Sequence, residues 1–219
     1  MMKLYDFVGS SSSFRVRIGL HWKDIGFESI PVDLIAGEQF APEYRRVNPT
    51  SLVPSLIDGA VVVGESLAIL EYLEAVRPPP SLLPPDAAGR ARVRSLALAM
   101  ASGIQPLHTE RTELRLAEVL GAFDERVLAW CRHWIGVGMD ALERRLCDEA
   151  ETGDFCHGAT PTVADAVLVP QVYAAARRFG LDVRKGRPRI AVIFGRCMEL
   201  SAFRRAAPPG PSPEEWGRT

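Results

Sequence analysis

Residues Arg77–Pro85 read RPPPSLLPP and divide the 219-residue chain into two halves of different character. The segment holds five prolines in nine residues, and consecutive prolines can continue neither an α-helix nor a central β-strand. We therefore place a linker here and predict two domains, residues 1–80 and residues 87–219. A chain of this length is long enough for two small domains, each with a buried core.

The half before the linker mixes short β-like runs with helical segments. Four runs predict strands: residues 3–7 (KLYDF), 29–34 (SIPVDL), 52–57 (LVPSLI) and 60–63 (AVVV). The last two flank Asp58-Gly59, a dipeptide typical of β-hairpin turns. Residues 66–76 (SLAILEYLEAV) predict a helix that begins at Ser66, because serine is favoured at helix starts.

One segment of this half is ambiguous. Its large apolar residues alternate strictly, which by periodicity alone favours a strand: Phe14, Val16, Ile18, Leu20 and Trp22. A family resemblance given below favours a helix instead, and we follow the resemblance.

The half after the linker is helical in pattern. One apolar stripe has the spacing of a single helix face: Val93, Leu96, Ala97, Met100 and Ile104. A second stripe comprises Val127, Trp130, Cys131, Trp134, Ile135, Ala141 and Leu142. Thr162–Asp165 (TVAD) has the form of a capping box and predicts the start of a third helix. An α/β half followed by an all-helical half fits a thioredoxin-like domain with a helical bundle as one solution among several.

Composition excludes several functions. The formal net charge of -1 gives no electrostatic reason to expect a nucleic acid or an anionic membrane as partner, and no apolar run approaches the roughly 20 residues that span a bilayer. The four histidines and four cysteines show no metal-ligand spacing and no CxxC pair, so we expect no metal and no disulfide. The first residues, MMKLYDFVGSSSS, lack a basic leader and an apolar stretch, so we expect a cytoplasmic protein.

Five strings, taken in order and spacing, resemble the zeta class of glutathione transferases, which includes maleylacetoacetate and maleylpyruvate isomerases. They are residues 10–20 (SSSSFRVRIGL), 48–54 (NPTSLVP), 65–73 (ESLAILEYL), 103–107 (GIQPL) and 162–171 (TVADAVLVPQ). The resemblance runs from Lys3 to about Pro208. It implies the cytosolic glutathione transferase fold, an α/β thioredoxin-like N-terminal domain plus an all-α C-terminal domain. It also implies glutathione as cofactor, a homodimer and a role in aromatic amino acid catabolism.

The serine run 10–13 has two interpretations. From composition alone it is a flexible, solvated loop. In the family it is the junction of the first strand and first helix, where backbone N–H groups and the helix dipole stabilise an anion. The resemblance makes Ser10 the donor to the glutathione sulfur, with Ser11 and Ser12 as catalytic neighbours, and places Ser13, Phe14 and Arg15 among the glutathione contacts.

Further glutathione contacts follow from the resemblance. Val53-Pro54 matches a cis-proline that exposes the Val53 backbone to the peptide, although the local sequence alone favours an ordinary trans proline. Ser66 would take the γ-glutamyl carboxylate while Glu65 faces the ammonium group, and the same serine is also a plain N-cap. Two more polar side chains match positions around glutathione: Gln39 and Gln105.

The substrate site departs from the family pattern. Gly9 stands where related isomerases usually carry arginine, Ser12 replaces a cysteine, and residues 172–179 (VYAAARRF) lack an asparagine and have one extra residue. We predict His108, Arg111 and Arg178 as substrate-binding residues, the arginines because their fork matches carboxylates. Either arginine could equally be an exposed helix charge.

Three functions remain open. The first is glutathione-dependent cis–trans isomerisation of an unsaturated oxo-acid or enone such as maleylacetoacetate or maleylpyruvate. The second is conjugation or dehalogenation of another small electrophile by the same thiolate. The third is a binding protein of this fold without catalysis.

Overall fold

The computed structural model describes residues 1–210, which form two compact units. The first unit comprises Met1–Leu82 and Met198–Gly210, and the second comprises Leu83–Cys197. The boundary falls inside the proline-rich segment. The predicted helical domain included residues 198–210, which instead cluster with the first unit. The last residues of that predicted domain, 211–219, lie outside the described residues.

The first unit contains a four-stranded sheet. Its strands are β1 (Met2–Asp6), β2 (Phe27–Pro31), β3 (Ser55–Asp58) and β4 (Val61–Gly64), in the order β2-β1-β3-β4. β2 runs parallel to β1, whereas β3 pairs antiparallel with both β1 and β4. The predicted hairpin is confirmed: Asp58 pairs with Val61 across a turn in which Gly59 has a φ of 59°, a value that suits glycine.

Helices make up most of the rest of the described chain. They are α1 (Ser11–Trp22), α2 (Pro42–Val47), α3 (Ser66–Val76), α4 (Ala87–Leu98), α5 (Glu110–Leu120), α6 (Glu125–Asp148), α7 (Val163–Phe179), α8 (Pro188–Glu199) and α9 (Ser201–Ala206). Short 3₁₀ turns cover Glu38–Phe40 and Gln105–His108, and a π-helical turn covers Ala99–Ile104. Within residues 1–210, no helix combines the length and apolarity needed to cross a bilayer.

The ambiguous segment 14–22 is helical, as the resemblance predicted. α1 contacts both α3 and α9, and every residue from Ser13 to Leu20 is buried. Because the helix is covered on more than one side, its sequence shows no single apolar stripe. The alternating apolar residues therefore favoured a strand although the segment is a helix. Gly19 reflects this packing: a Cβ there would lie 2.4 Å from the side chain of Leu70 on α3, so a larger residue would require that side chain to move.

The core of the first unit joins α1 and α3 to the middle of the sheet. It consists of Leu4, Val16, Leu20, Leu56, Ile69 and Leu73, all without exposed surface. Two of these residues come from adjacent strands and four from the two helices. This packing holds α1 and α3 against the sheet, and the N-termini of these two helices carry the predicted glutathione contacts Ser10 and Ser66.

In the second unit the predicted helices are present. All five residues of the first stripe, Val93 to Ile104, are buried, although the last two lie in the π-helical turn. The stripe predicted on α6 is only partly right, because Trp130 and Ala141 are exposed; the buried face is Val127, Cys131, Ile135, Met139, Leu142 and Leu146. The capping box is confirmed at the start of α7, where Asp165 accepts hydrogen bonds from the N–H and the hydroxyl of Thr162.

A buried ion pair lies where the C-terminal ends of α1 and α3 meet the proline-rich segment. The ammonium of Lys23 lies 2.7 Å from the carboxylate of Glu74 and donates to the carbonyl oxygens of Arg77 and Pro80 at 2.8 and 2.9 Å. Both side chains are nearly inaccessible to solvent. The carboxylate also accepts from the N–H of Leu82 at 2.8 Å, so the pair joins the ends of α1 and α3 to the proline-rich segment.

We predict that Lys23→Met lowers the free energy of unfolding by about 3–5 kcal/mol, because it leaves the Glu74 carboxylate buried without its partner. Lys3→Met is the matched control. Its ammonium lies 3.8 Å from Glu28 with both side chains about half exposed, and its loss should cost less than about 1 kcal/mol. Urea denaturation measures both, and equal effects of the two substitutions would contradict the prediction.

Candidate active site

The serine run lies at the N-terminus of α1, where the resemblance placed it. Ser10 is the N-cap: its backbone is extended (φ -75°, ψ 124°), and its Oγ accepts the N–H of Ser13 at 3.2 Å. This bond uses a lone pair of the hydroxyl and leaves its proton to be donated elsewhere. Ser11 and Ser12 are half-buried in the first turn. The positive end of a 12-residue helix thus carries hydroxyl groups within its first turn.

Arg15 connects the serine helix to the start of α3. Its Nη1 donates to the Oγ of Ser66 at 3.2 Å, and both side chains are buried. Burial lowers the pKa of Arg15 to about 10, while the charge of Glu65 raises it. Arg15 and Phe14 are each only 2% exposed, so we expect them to support the site from inside rather than touch a ligand.

The Val53–Pro54 peptide bond is cis, as the resemblance predicted. Val53 is half-buried, and within residues 1–210 neither its N–H nor its C=O has a hydrogen-bond partner. Gln39 lies in the 3₁₀ turn that precedes α2 and donates to the Leu34 carbonyl at 3.3 Å. Its Oε1 is buried and has no partner among the described residues. A main-chain edge and a polar side chain in the first unit are therefore available for hydrogen bonds.

Two predicted glutathione contacts, Glu65 and Ser66, lie at the start of α3. Glu65 is the exposed N-cap and has a positive φ of 63°. Ser66 is the first helical residue and is buried. A positive φ is strained for a residue with a side chain, and such strain is typical of functional segments. Ser66 is connected to α1 by its hydrogen bond with Arg15. The sequence alone did not predict this contact between distant residues.

In the second unit, His108 and Arg178 are in contact. Nη1 of Arg178 donates to the His108 carbonyl at 3.3 Å, and Nη2 lies 2.6 Å from the carboxylate of Glu113. The His108 ring is buried and its Nε2 lies 3.0 Å from the side-chain nitrogen of Gln171. Arg111 is exposed in the first turn of α5, and Gln105 is half-buried in the 3₁₀ turn.

Sequence reasoning missed Glu113 and Gln171. Glu113 is buried, and burial raises the pKa of its carboxyl group even though Arg178 lowers it. Its pairing with a residue 65 positions away leaves no local signal in the sequence. Arg178 is therefore already neutralised in part, which bears on its predicted role as a carboxylate anchor.

The cysteine thiols of the chain are poor nucleophiles. Burial is the main cause that raises the pKa of Cys131 to about 11 and the pKa values of Cys156 and Cys197 well above normal. The exposed Cys147 also has a raised pKa, from partial desolvation and the nearby Glu143. All four thiols are therefore protonated near neutral pH. In the described part of the chain no group of three or more His, Cys, Asp or Glu residues could hold a metal ion.

Comparison with known proteins identifies the family of the chain. Residues 4–81 match the family described as "Glutathione S-transferase, N-terminal domain". The chain is 44% identical to maleylpyruvate isomerase of a Ralstonia species, over 94% of this chain and 97% of that relative. It is 43% identical to a maleylpyruvate isomerase structure described as a bacterial zeta-class glutathione transferase, with a TM-score of 0.90 over 94% of this chain and 96% of that one. The chain belongs to the zeta class of glutathione transferases.

A second zeta-like structure adds ligands to the comparison. Maleylacetoacetate isomerase of Methylobacterium extorquens AM1, solved with malonate and GSH bound, is 38% identical to this chain. It aligns with a TM-score of 0.90 over 96% of this zeta-class chain and 100% of the isomerase. Glutathione and a dicarboxylate are therefore ligands of a protein with closely similar backbone.

We predict that Glu113→Gln becomes more stable relative to the wild type as pH rises. Between its unfolded-state and folded-state pKa values, a carboxyl group whose pKa is raised by folding stays protonated in the folded state while it is ionised in the unfolded state; above both values it is ionised in each. The wild type therefore loses stability as pH rises from 4.5 through the folded-state pKa, and the glutamine variant does not.

Urea denaturation at about pH 4 and about pH 7 measures this difference. Glu118→Gln is the control, because Glu118 lies on the same helix with 69% of its side chain exposed. A stability difference between Glu113→Gln and the wild type that does not change with pH would contradict the prediction.

Proposed function

We propose that this zeta-class protein is a glutathione-dependent cis–trans isomerase of an unsaturated oxo-acid or enone such as maleylacetoacetate or maleylpyruvate. The names of the relatives support the reaction class. The observation that carries the proposal is Ser10, an N-cap hydroxyl with a proton to donate at the positive end of α1. Burial raises the pKa of the protein's Cys131 and Cys156 thiols, which favours a nucleophile supplied by a bound ligand over one of these cysteines.

Ser10 would keep the glutathione sulfur ionised. A free thiol with a pKa of about 8.5 is only a few per cent ionised at neutral pH, and lowering that pKa by about 2 units requires roughly 2.7 kcal/mol. One hydrogen bond to a charged group supplies about 1.5–3 kcal/mol and a helix N-terminus about 0.3–1 kcal/mol. A hydroxyl at the α1 N-terminus is therefore sufficient, with Ser11 and Ser12 beside it.

The rest of glutathione would be held by main chain and capping groups. The N–H and C=O of Val53, which have no partner among residues 1–210, suit the peptide backbone of glutathione. Ser66 and the α3 N-terminus suit its γ-glutamyl carboxylate, and the exposed Glu65 suits its ammonium group. Gln39 adds an amide oxygen that has no partner in the described part of the chain. Gln105 belongs to the second unit, and its contact with glutathione stays a prediction.

The proposed reaction is a reversible addition. The thiolate adds to the cis double bond, forming a C–S bond, while the electron pair moves to the conjugated carbonyl oxygen as an enolate. The former double bond is now single and rotates. The enolate then collapses and expels the thiolate, which leaves the trans isomer and unconsumed glutathione. Arg111 and Arg178 are the proposed anchors for substrate carboxylate, and His108 stays a predicted substrate contact.

Conjugation or dehalogenation of another electrophile is the second candidate. The pairing of Arg178 with Glu113 favours it, because a partly neutralised arginine binds a carboxylate less strongly. Gly9, in place of the family's arginine, removes another cation. Both reactions need the same thiolate, so they differ only in the fate of the adduct that it forms.

We further propose that the enzyme is a cytoplasmic homodimer acting in aromatic amino acid catabolism.

We predict that Ser10→Ala raises the pKa of bound glutathione thiol by about 1–2 units, the equivalent of one hydrogen bond to a charged sulfur. Ultraviolet absorbance of the thiolate across a pH series measures it. Ser12→Ala, a neighbouring hydroxyl deletion on the same helix turn, serves as control and should change that pKa far less. If the two variants shifted the pKa of the bound thiol equally, Ser10 would not be the specific donor to the glutathione sulfur.

Product analysis tests the reaction itself. With maleylacetone or maleylpyruvate and catalytic glutathione, we expect trans product in excess of the glutathione present. Consumption of one glutathione per product would support conjugation instead. Isomerisation at the full rate without glutathione would contradict the thiolate mechanism.

A further inference from the structure

The carbonyl oxygen of Leu52, one residue before Val53, is held by two side chains. Oη of Tyr44, on α2, donates to it at 2.5 Å, and Nδ2 of Asn48 donates at 2.9 Å. Tyr44 and Asn48 are both more than nine-tenths buried. A carbonyl oxygen accepts two hydrogen bonds, so both of its lone pairs are used.

Ser55, fully buried on β3, completes this arrangement. Its Oγ lies 3.0 Å from the Tyr44 hydroxyl and accepts from Nδ2 of Asn48 at 3.2 Å. Since the only proton of the Tyr44 hydroxyl goes to Leu52, Ser55 must donate to Tyr44. Oδ1 of Asn48 accepts from the N–H and the hydroxyl of Thr50 at 3.1 and 2.8 Å. Asn48 and Tyr44 are thus themselves held by Thr50 and Ser55, and their two donors hold the Leu52 carbonyl in its observed orientation.

That orientation fixes the direction of the next N–H. The peptide bond between Leu52 and Val53 is trans, and in a planar trans peptide the C=O and N–H point in opposite directions. With the Leu52 oxygen drawn toward α2 and β3, the N–H of Val53 points away from them. Among residues 1–210 it has no hydrogen-bond partner. A donor that is rigidly aimed and unused is suited to a ligand.

We infer that Tyr44 and Asn48 are positioning residues for glutathione, because by holding the Leu52 carbonyl they aim the Val53 N–H at the peptide backbone of the tripeptide. The inference rests on the proposed function, since it requires that glutathione bind along Val53. Neither side chain touches the ligand. Their contribution is preorganisation: without it, the loop would have to be ordered when glutathione binds.

Tyr44→Phe tests this inference, because it deletes one donor to Leu52 and keeps the ring. We expect the KM for glutathione to rise about two- to tenfold, the range of one net hydrogen bond. The kcat at saturating glutathione and the pKa of the bound thiol should stay unchanged, since Ser10 is not altered. Tyr72→Phe is the matched control, because its hydroxyl bonds Asp58 at 2.9 Å elsewhere in the same unit.

An amide measurement on the wild type keeps the test decisive even where Tyr44→Phe does not fold. In the ¹H–¹⁵N spectrum, the Val53 amide should shift on addition of glutathione and become protected from hydrogen exchange. A Val53 amide unaffected by bound glutathione would overturn the inference. So would a folded Tyr44→Phe variant with wild-type KM, or one that loses kcat and thiol ionisation in equal measure. Wild-type protein that does not bind glutathione in calorimetry would instead refute the proposed function.

Discussion

The buried ion pair between Arg17 and Asp6 holds α1 against the end of β1 and the loop before Ser10, and the candidate site depends on that placement. The guanidinium lies 2.6 Å from the Asp6 carboxylate at the end of β1 and donates to the carbonyl oxygens of Val8 and Ala206 at 3.1 and 2.9 Å. It thus ties the strand, the loop before Ser10 and the end of α9 to one helix. Arg15, two residues earlier and on the other side of α1, bonds Ser66. Two buried cations therefore hold both helix N-termini that the proposed ligand uses.

These buried charges have a clear energetic requirement. A guanidinium away from water is stable only with a carboxylate or several carbonyl oxygens around it, and Arg17 has both. Arg15 and Arg17 thus serve to position the helices, whereas burial raises the pKa of the Cys131 and Cys197 thiols and keeps them protonated. This division is consistent with an enzyme that takes its nucleophile from a small molecule and provides a hydroxyl and a helix dipole to ionise it.

Local patterns in the sequence predicted a good part of this architecture. The Asp58-Gly59 hairpin, the helix from Ser66 and the Thr162 capping box depend on neighbouring residues, and each is present. The helical state of α1 could not be read from its alternating residues, because that helix is covered on several sides. The resemblance predicted it, as it did the cis bond before Pro54.

Contacts between residues far apart in the chain could not be predicted from the sequence. Nothing near Arg178 indicates that Glu113 neutralises it, and nothing near Val53 indicates that Tyr44 and Asn48 hold the preceding carbonyl. Similarly, α9 comes after a helical half in sequence but packs on α1 in the first unit. In each case the chain folds back over many residues, and the chemistry of the side chain appears only with its partner.

The central claim is that this protein binds glutathione as a thiolate, and counting the protons released on binding tests it most directly. Calorimetric titration near pH 7 in buffers of different ionisation enthalpy gives that count. The account predicts release of most of one proton per glutathione bound, and none for S-methylglutathione, which has no ionisable thiol. Binding of glutathione without proton release would contradict it.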